Sequence, residues 1–282
     1  DLDVTTSGNQ SLVIAASTDT DVDVELQSAA NFFGAATNVD FTNGFDLLIS
    51  TLDVSRDTSV ELNGASGNQA TINATGLAVI SATSDGEIKN IVKSDFVGAS
   101  TTDFSKDVTE IVGTHLSSTT LGISMQATSL TQTVTEGKVA VNESKDNTKT
   151  SVSLSNATVN AGASGIDIGA TDSARFYATS TSATMDPGIF SKVDLDYAAA
   201  LNLLDRDTTV ALTNTTLDAD GAVATTANSA VWSIVIAEKM QALGTSMVPF
   251  DNSGSTQSFV FGGTMAVNEM NGDVSVTTTG GQ

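Results

Sequence analysis

Thr150-Ser151-Val152-Ser153-Leu154-Ser155-Asn156-Ala157-Thr158-Val159-Asn160-Ala161 recurs as Thr208-Thr209-Val210-Ala211-Leu212-Thr213-Asn214-Thr215-Thr216-Leu217-Asp218-Ala219. In both copies Val and Leu alternate with small or hydroxyl-bearing residues, an Asn interrupts, and a second short alternation follows. A period of two places the apolar residues on one face of a strand, and Asn is a residue that turns the chain. The unit therefore reads as strand, corner, strand. Part of it occurs a third time, because Arg56-Asp57-Thr58-Ser59-Val60-Glu61-Leu62 resembles Arg206-Asp207-Thr208-Thr209-Val210-Ala211-Leu212. Ahead of these lie Ala140-Val141-Asn142 and Ala200-Leu201-Asn202, echoed at Ala266-Val267-Asn268. The copies are irregularly spaced. That favours a solenoid whose turns carry loops of different length over a string of identical beads.

The same grammar runs through the rest of the chain. Val22, Val24 and Leu26 alternate with Asp21, Asp23 and Glu25, and Ile166 and Ile168 flank Asp167. The longest alternation is Val193, Leu195, Tyr197, Ala199, Leu201, Leu203, with Asp194 and Asp196 on the other face. Breaks recur roughly every eight to twelve residues, which implies many short strands. Two stretches depart from this. Across 227–244, Val231, Ile234, Val235, Ala237, Met240 and Leu243 recur at near-helical spacing before Gly244, which predicts a helical insertion or an apolar cap packed on the solenoid. Residues 94–115 scatter Phe96, Phe104, Val108, Ile111 and Val112, and read as a short helix or an irregular excursion.

The two ends of the sequence also resemble each other. Asp1–Gln10 aligns without a gap to Asp273–Gln282, with six identical positions. This predicts that residues 1–282 form one β-solenoid unit, a segment of a longer repetitive array. The chain opens on Asp with no signal peptide, and is expected to be an excised or processed segment whose targeting signals lie elsewhere.

Composition excludes more than it identifies. Of 282 residues 40% are hydrophobic, enough for a core, while only 5% are aromatic. Ser and Thr make up about a quarter, and Thr suits a pleated, half-exposed surface. The net charge of −22, from 33 acidic and 11 basic residues, argues against nucleic acid and against anionic membrane. No stretch is long and apolar enough to predict insertion into a bilayer as a helix. There is no cysteine, a pattern that fits large bacterial surface proteins.

At Gly137-Lys138-Val139-Ala140-Val141-Asn142, then Ser155-Asn156-Ala157-Thr158-Val159-Asn160-Ala161-Gly162, the chain resembles the large bacterial β-helix repeat exoproteins of the hemagglutinin and leukotoxin-like adhesin type. Ile166-Asp167-Ile168-Gly169-Ala170-Thr171-Asp172-Ser173-Ala174 continues the likeness, and Gly263-Thr264-Met265-Ala266-Val267-Asn268 restarts it. It is clearest over 137–220 and 259–282. The resemblance implies a secreted, right-handed parallel β-helix that projects binding surfaces from a cell. The secretion domain and outer-membrane barrel of that class have no counterpart in it, which leaves the export route open. A solenoid of this kind is expected to use roughly 20–25 residues per turn, giving about twelve turns and a rod of roughly 55–60 Å at the ~4.8 Å strand spacing. Tandem β-sandwich domains are the alternative fold, since short strands at regular spacing suit them too.

Candidate sites are few. Asp19, Asp21, Asp23 and Glu25 share one face of a predicted strand and are a candidate Ca²⁺ site, weighed against a solvated acidic face. Asp218-Ala219-Asp220-Gly221 has a superficial likeness to a calcium loop but lacks the rest of that pattern. His115 is the single histidine, which removes paired-His metal sites and weakens a Ser-His-Asp triad. Trp232 is expected in the core. With one Trp and two Tyr, the stacking aromatics of a carbohydrate cleft are in short supply. Asn9, Asn73, Asn142, Asn156 and Asn214 head Asn-x-Ser/Thr sequons. No catalytic residue and no cofactor other than calcium is expected. The resulting expectation is a non-enzymatic, extracellular rod or filament on a bacterial cell surface. Its units join end to end, and host or cell-surface glycans or proteins are its further partners. A polysaccharide-degrading β-helix enzyme and a tandem β-sandwich adhesin domain are the alternatives.

Overall fold

The computed structural model describes residues 3–27, 44–65, 67–95, 136–185, 193–242 and 259–281. These residues fold into strands, with no helix among them. The first turn consists of β1 (Asp3–Thr5), β2 (Leu12–Gln27) and β3 (Gly44–Asn63). The second is β4 (Ala70–Ala74), β5 (Ala78–Asp95) and β6 (Glu136–Ser155). The third is β7 (Ala157–Ala161), β8 (Ile166–Met185) and β9 (Val193–Thr213). The fourth is β10 (Thr216–Ala219), β11 (Val223–Ala242), and then β12 (Phe259–Asn271) with β13 (Val274–Thr279). Each strand pairs in parallel with its counterpart one turn away. The outcome is three sheets, ordered β1-β4-β7-β10, β2-β5-β8-β11 and β3-β6-β9-β12, with β13 also on β9. This is a parallel β-helix.

Three expectations change. The turns are far longer than 20–25 residues: Thr150 pairs with Thr208 and Asn156 sits beside Asn214, a separation of 58. The described residues make four turns rather than twelve, so their stack rises only roughly 14 Å from first strand to last. The short strands that the breaks predicted are mostly halves of strands of up to 21 residues, because polar pairs in mid-strand face a polar layer inside instead of ending the strand. The tandem β-sandwich is also excluded, since all strand ladders among the described residues are parallel whereas such sandwiches are built from antiparallel sheets.

The helical insertion at 227–244 is overturned as well. Val223–Ala242 is one continuous strand paired residue for residue with β8. The near-helical spacing of Val231, Ile234, Val235 and Ala237 arises because this outermost strand has apolar residues on both faces, so its period-two signal is blurred. Most of 94–115 lies outside the described residues.

The sequence repeats, by contrast, fall on true structural equivalents. Thr150–Ala161 stacks on Thr208–Ala219 without offset through the third sheet, the corner and the first sheet. Arg56 and Arg206 are two turns apart in one column, with Thr148 between them. Ala200–Asn202 stacks on Ala266–Asn268, whereas Ala140–Asn142 is offset from Ala200–Asn202 by two positions. The matched chain ends are not equivalent. Val4 lies in the first sheet and Val276 in the third, so their likeness is one of composition rather than of place.

The corner Asn residues explain how the chain turns. Asn156 (φ 47°) and Asn214 (φ 48°) adopt the left-handed conformation, which Asn tolerates better than other residues with a Cβ. The Asn214 amide donates to Asn156 Oδ1 at 3.3 Å, and Asn156 donates to the Gly64 carbonyl at 3.1 Å, forming a ladder along the corner. A second ladder runs up the short sheet, with Asn160 donating to Asn73 Oδ1 at 2.7 Å.

The two long sheets face each other and the short sheet closes one side. Beside the short sheet the interior is aliphatic, with Leu62, Ile72, Ile80, Leu154, Val159, Ile168 and Val210. Farther along come Ser84, Asp172, Thr148 and Arg206, all buried, and then a second apolar layer of Ile88, Ala174, Phe176 and Leu204. Last is a layer of buried amides and hydroxyls. Ser50 donates to Asn90 Oδ1 at 2.6 Å, Asn90 donates to Ser144 Oγ at 3.2 Å, and Ser180 donates to the Ala140 carbonyl at 2.7 Å. Buried polar groups are costly unless bonded, so these partners allow Ser and Asn to occupy lumen positions.

Candidate functional site

Alternation along β2 turns Asp19, Asp21, Asp23 and Glu25 outward, and all four are exposed. The shared face read from sequence is therefore present. Alternate residues on a strand stand about 6.6–6.8 Å apart, whereas Ca²⁺ binds its oxygens at about 2.3–2.6 Å, so a single ion cannot gather this row without help from other elements. The neighbouring strand engages two of the four. Lys93 Nζ donates to Glu25 Oε1 at 2.6 Å, and the Glu87 N–H donates to Asp21 Oδ1 at 3.0 Å. Among the described residues no group of three or more Asp, Glu, His or Cys converges as metal ligands would. Asp218 and Asp220 are exposed at the end of β10 and in the turn after it. His115 lies outside the described residues.

Trp232 is not in the core. It is 47% exposed on the outward face of β11, since its neighbour Val231 takes the inward position. Its ring meets Tyr177 edge to face, with centroids 5.0 Å apart at 73°. Reading across the four turns, one outward row runs Asp21, Glu87, Arg175, Trp232 and the next runs Asp23, Lys89, Tyr177, Ile234. Lys89 forms an ion pair with Glu87, and its ammonium lies 5.9 Å from the Tyr177 ring centre. The hydrogen bond and charge of Glu87 raise the Lys89 pKa above its ordinary value. Asp21, Val22, Asp23, Glu87 and Lys89 line a surface groove beside this row. The face thus grades from acidic at β2 to aromatic and aliphatic at β11.

A charged cluster inside the lumen gave no sequence signal beyond the Arg-Asp repeat. Arg206 is clamped between two carboxylates. Its Nε donates to Asp172 Oδ2 at 2.7 Å, its two terminal nitrogens pair with Asp172 and Asp146, and one of them also donates to Thr148 Oγ1 at 3.3 Å. Arg56 lies 3.6 Å from Asp146 and donates through Nε to Thr148 Oγ1 at 3.2 Å and through a terminal nitrogen to the Asp85 carbonyl at 3.0 Å. The Phe176 ring lies 5.4 Å from the Arg206 guanidinium carbon. Two cations and two anions make the cluster neutral overall. Burial opposes the charge on Arg206, yet its bonds to Asp172 and Asp146 outweigh this and raise its pKa. Arg56, with poorer pairing, is lowered by burial. Burial pushes the Asp146 carboxyl up, against the pull of Arg206 and Arg56. The cluster is sealed from substrate and joins the two long sheets, so its chemistry is structural.

The first and last turns carry the remaining unsatisfied chemistry. Among the described residues, each strand of these turns has a parallel neighbour on one side only. On the fourth turn Val223, Met270, Val274 and Val276 continue columns whose previous members, Ile166, Leu204, Thr208 and Val210, are buried. They point into the lumen, yet remain 43–53% exposed. Unpaired strand edges and a bared apolar lumen together make an association surface. Comparison with protein-family models, curated proteins and solved structures finds no match.

Proposed function

We propose that this chain is a non-enzymatic structural and adhesive element of the bacterial cell surface, whose β-helical units associate end to end. The observation that supports this reading is the pair of open terminal turns, where lumen-facing aliphatic residues and unpaired backbone edges meet solvent. A rod assembled this way repeats any weak contact along its length, and such contacts add through effective concentration. The acidic excess keeps the outer surface hydrated and soluble. Sedimentation velocity across a concentration series, followed by negative-stain electron microscopy with and without a calcium chelator, tests it. Concentration-dependent growth into rods is expected; a strict monomer at all concentrations refutes it.

The two adjacent outward rows that carry Trp232 and Tyr177 favour a second reading, in which the surface binds polysaccharide and its carboxylates act on it. Exposed rings stack on sugar faces, and the neighbouring Arg175, Lys89 and Glu87 offer hydrogen bonds to hydroxyls. Retention on immobilised polysaccharides that is lost in Trp232→Ala would support this; equal retention of both proteins would exclude it.

A further inference from the structure

We infer that copies of this chain join head to tail only, the first turn of one seated on the fourth turn of another, and that the carboxylates of β2 forbid the union of two first turns. This rests on the end-to-end reading above and specifies its partner and polarity.

Three observations converge. The first is strand direction. The described ladders are parallel, and a further copy added along the same axis keeps them so, whereas two like ends meeting across a two-fold must pair antiparallel. The second is side-chain fit. Extending each column by one step sets Leu12 of the next copy on Val223, Val54 on Met270 and Val60 on Val276. Three of the four bared aliphatic side chains at the fourth turn then meet another aliphatic one, and the fourth, Val274, meets Thr58.

The third is charge. Strands β1 to β3 carry nine Asp or Glu and one Arg, while β10 to β13 carry three Asp or Glu and one Lys. That arginine, Arg56, is buried in the lumen cluster. Two first turns brought together would oppose rows of exposed carboxylates across a single strand spacing, where like charges destabilise a pair. The rows of Asp21 and Asp23 end at Trp232 and Ile234 on the other edge, which present no such charge. A head-to-tail contact is heterologous and does not close, so it propagates as a filament.

The absence of cysteine makes the test clean. Ser17 on β2 and Asn228 on β11 are exposed, and both belong to the row that passes through Thr83 and Thr171. Head-to-tail stacking brings them to the neighbouring-strand distance of about 4.8 Å, inside the Cα range that a disulfide bridges. Ser17→Cys and Asn228→Cys, mixed and mildly oxidised, are expected to give the mixed dimer at least ten-fold over either self-dimer. The double variant is expected to give a ladder of higher multimers. In the Ser17→Cys background, Asp19→Asn, Asp21→Asn, Asp23→Asn and Glu25→Gln together should raise the self-dimer several-fold. Self-dimers that equal or exceed the mixed dimer, in a protein that still sediments as an assembly, overturn the polarity and leave the end-to-end reading standing. A wild-type protein that sediments as a monomer, with no cross-link in any combination, overturns both.

Discussion

Replacing Arg206 by Met is the sharpest test of the lumen cluster. Arg206 makes ion pairs with both Asp146 and Asp172, and all three side chains are at least 97% buried. Met keeps most of the aliphatic volume and removes the charge. Asp146 retains Arg56 at 3.6 Å and the Thr148 hydroxyl at about 3 Å. Asp172 has no other ion pair among the described residues. Removing one partner of a buried pair costs about 3–5 kcal/mol, because the survivor is left charged in a medium that solvates it poorly. Most of that cost should therefore sit on Asp172. Arg206→Met is expected to lose about 3–5 kcal/mol at neutral pH, and Arg206→Met/Asp172→Leu to recover most of it. Urea unfolding followed by far-ultraviolet circular dichroism at about pH 7 reads both the loss and its recovery. A loss below about 1 kcal/mol, or a double variant no more stable than the single one, would refute the assignment.

Other consequences are equally measurable. Burial raises the Tyr197 phenol above its ordinary value, and its hydroxyl donates to Met265 Sδ at 3.9 Å. Because the unfolded chain ionises that phenol first, this contribution to stability is full below about pH 10 and is lost as the pH rises toward the folded value. Alkaline absorbance titration should show a late-ionising tyrosine that vanishes in Tyr197→Phe. Gly165 (φ 88°) leaves a Cβ 2.0 Å from the Ala222 carbonyl oxygen, while Gly67 (φ 90°) faces open space. Substituting Ala at Gly67 should cost about 1–2 kcal/mol from backbone conformation alone, and at Gly165 distinctly more, in the same urea assay. The β2 carboxylates are spaced too widely to gather one ion, so a chelator should leave the thermal midpoint unchanged; a fall of several degrees would mean that Ca²⁺ is held there.

The β-helix was legible wherever one face of a strand is apolar and the other polar. The Thr150–Ala161 and Thr208–Ala219 copies gave both the strands and the corner, and their stacking without offset follows from their shared pattern. Turn length was not legible. At Ser84, Asp172 and Arg206 polar residues point inward, and along the sequence they are indistinguishable from the breaks that end strands. Trp232 and the false helix share one cause: the outermost strand is apolar on both faces, with Val231, Val235 and Ala237 on its lumen side and Trp232, Ile234 and Ile236 on its outer side. The acidic row on β2 was read correctly as a face, since only period-two alternation is needed for that. Which carboxylates neighbour Lys93 or the Glu87 amide depends on register with a strand 66 to 68 residues away, which the local pattern does not encode.

The 57-residue minimum between stacked partners has a kinetic side. Among the described residues no strand forms a ladder with a near neighbour in sequence. Ladder separations of 57 to 92 in 282 residues correspond to a relative contact order of about 0.2–0.3, at or beyond the slow end of the range for small β domains. On a ribosome adding about 5–20 residues per second, a strand waits roughly 3–18 s before its partner exists. During that interval it is an exposed edge with apolar side chains on one face. On β2, where Asp19, Asp21, Asp23 and Glu25 alternate with apolar side chains, like-charge repulsion opposes pairing of that edge with the same strand of another nascent copy.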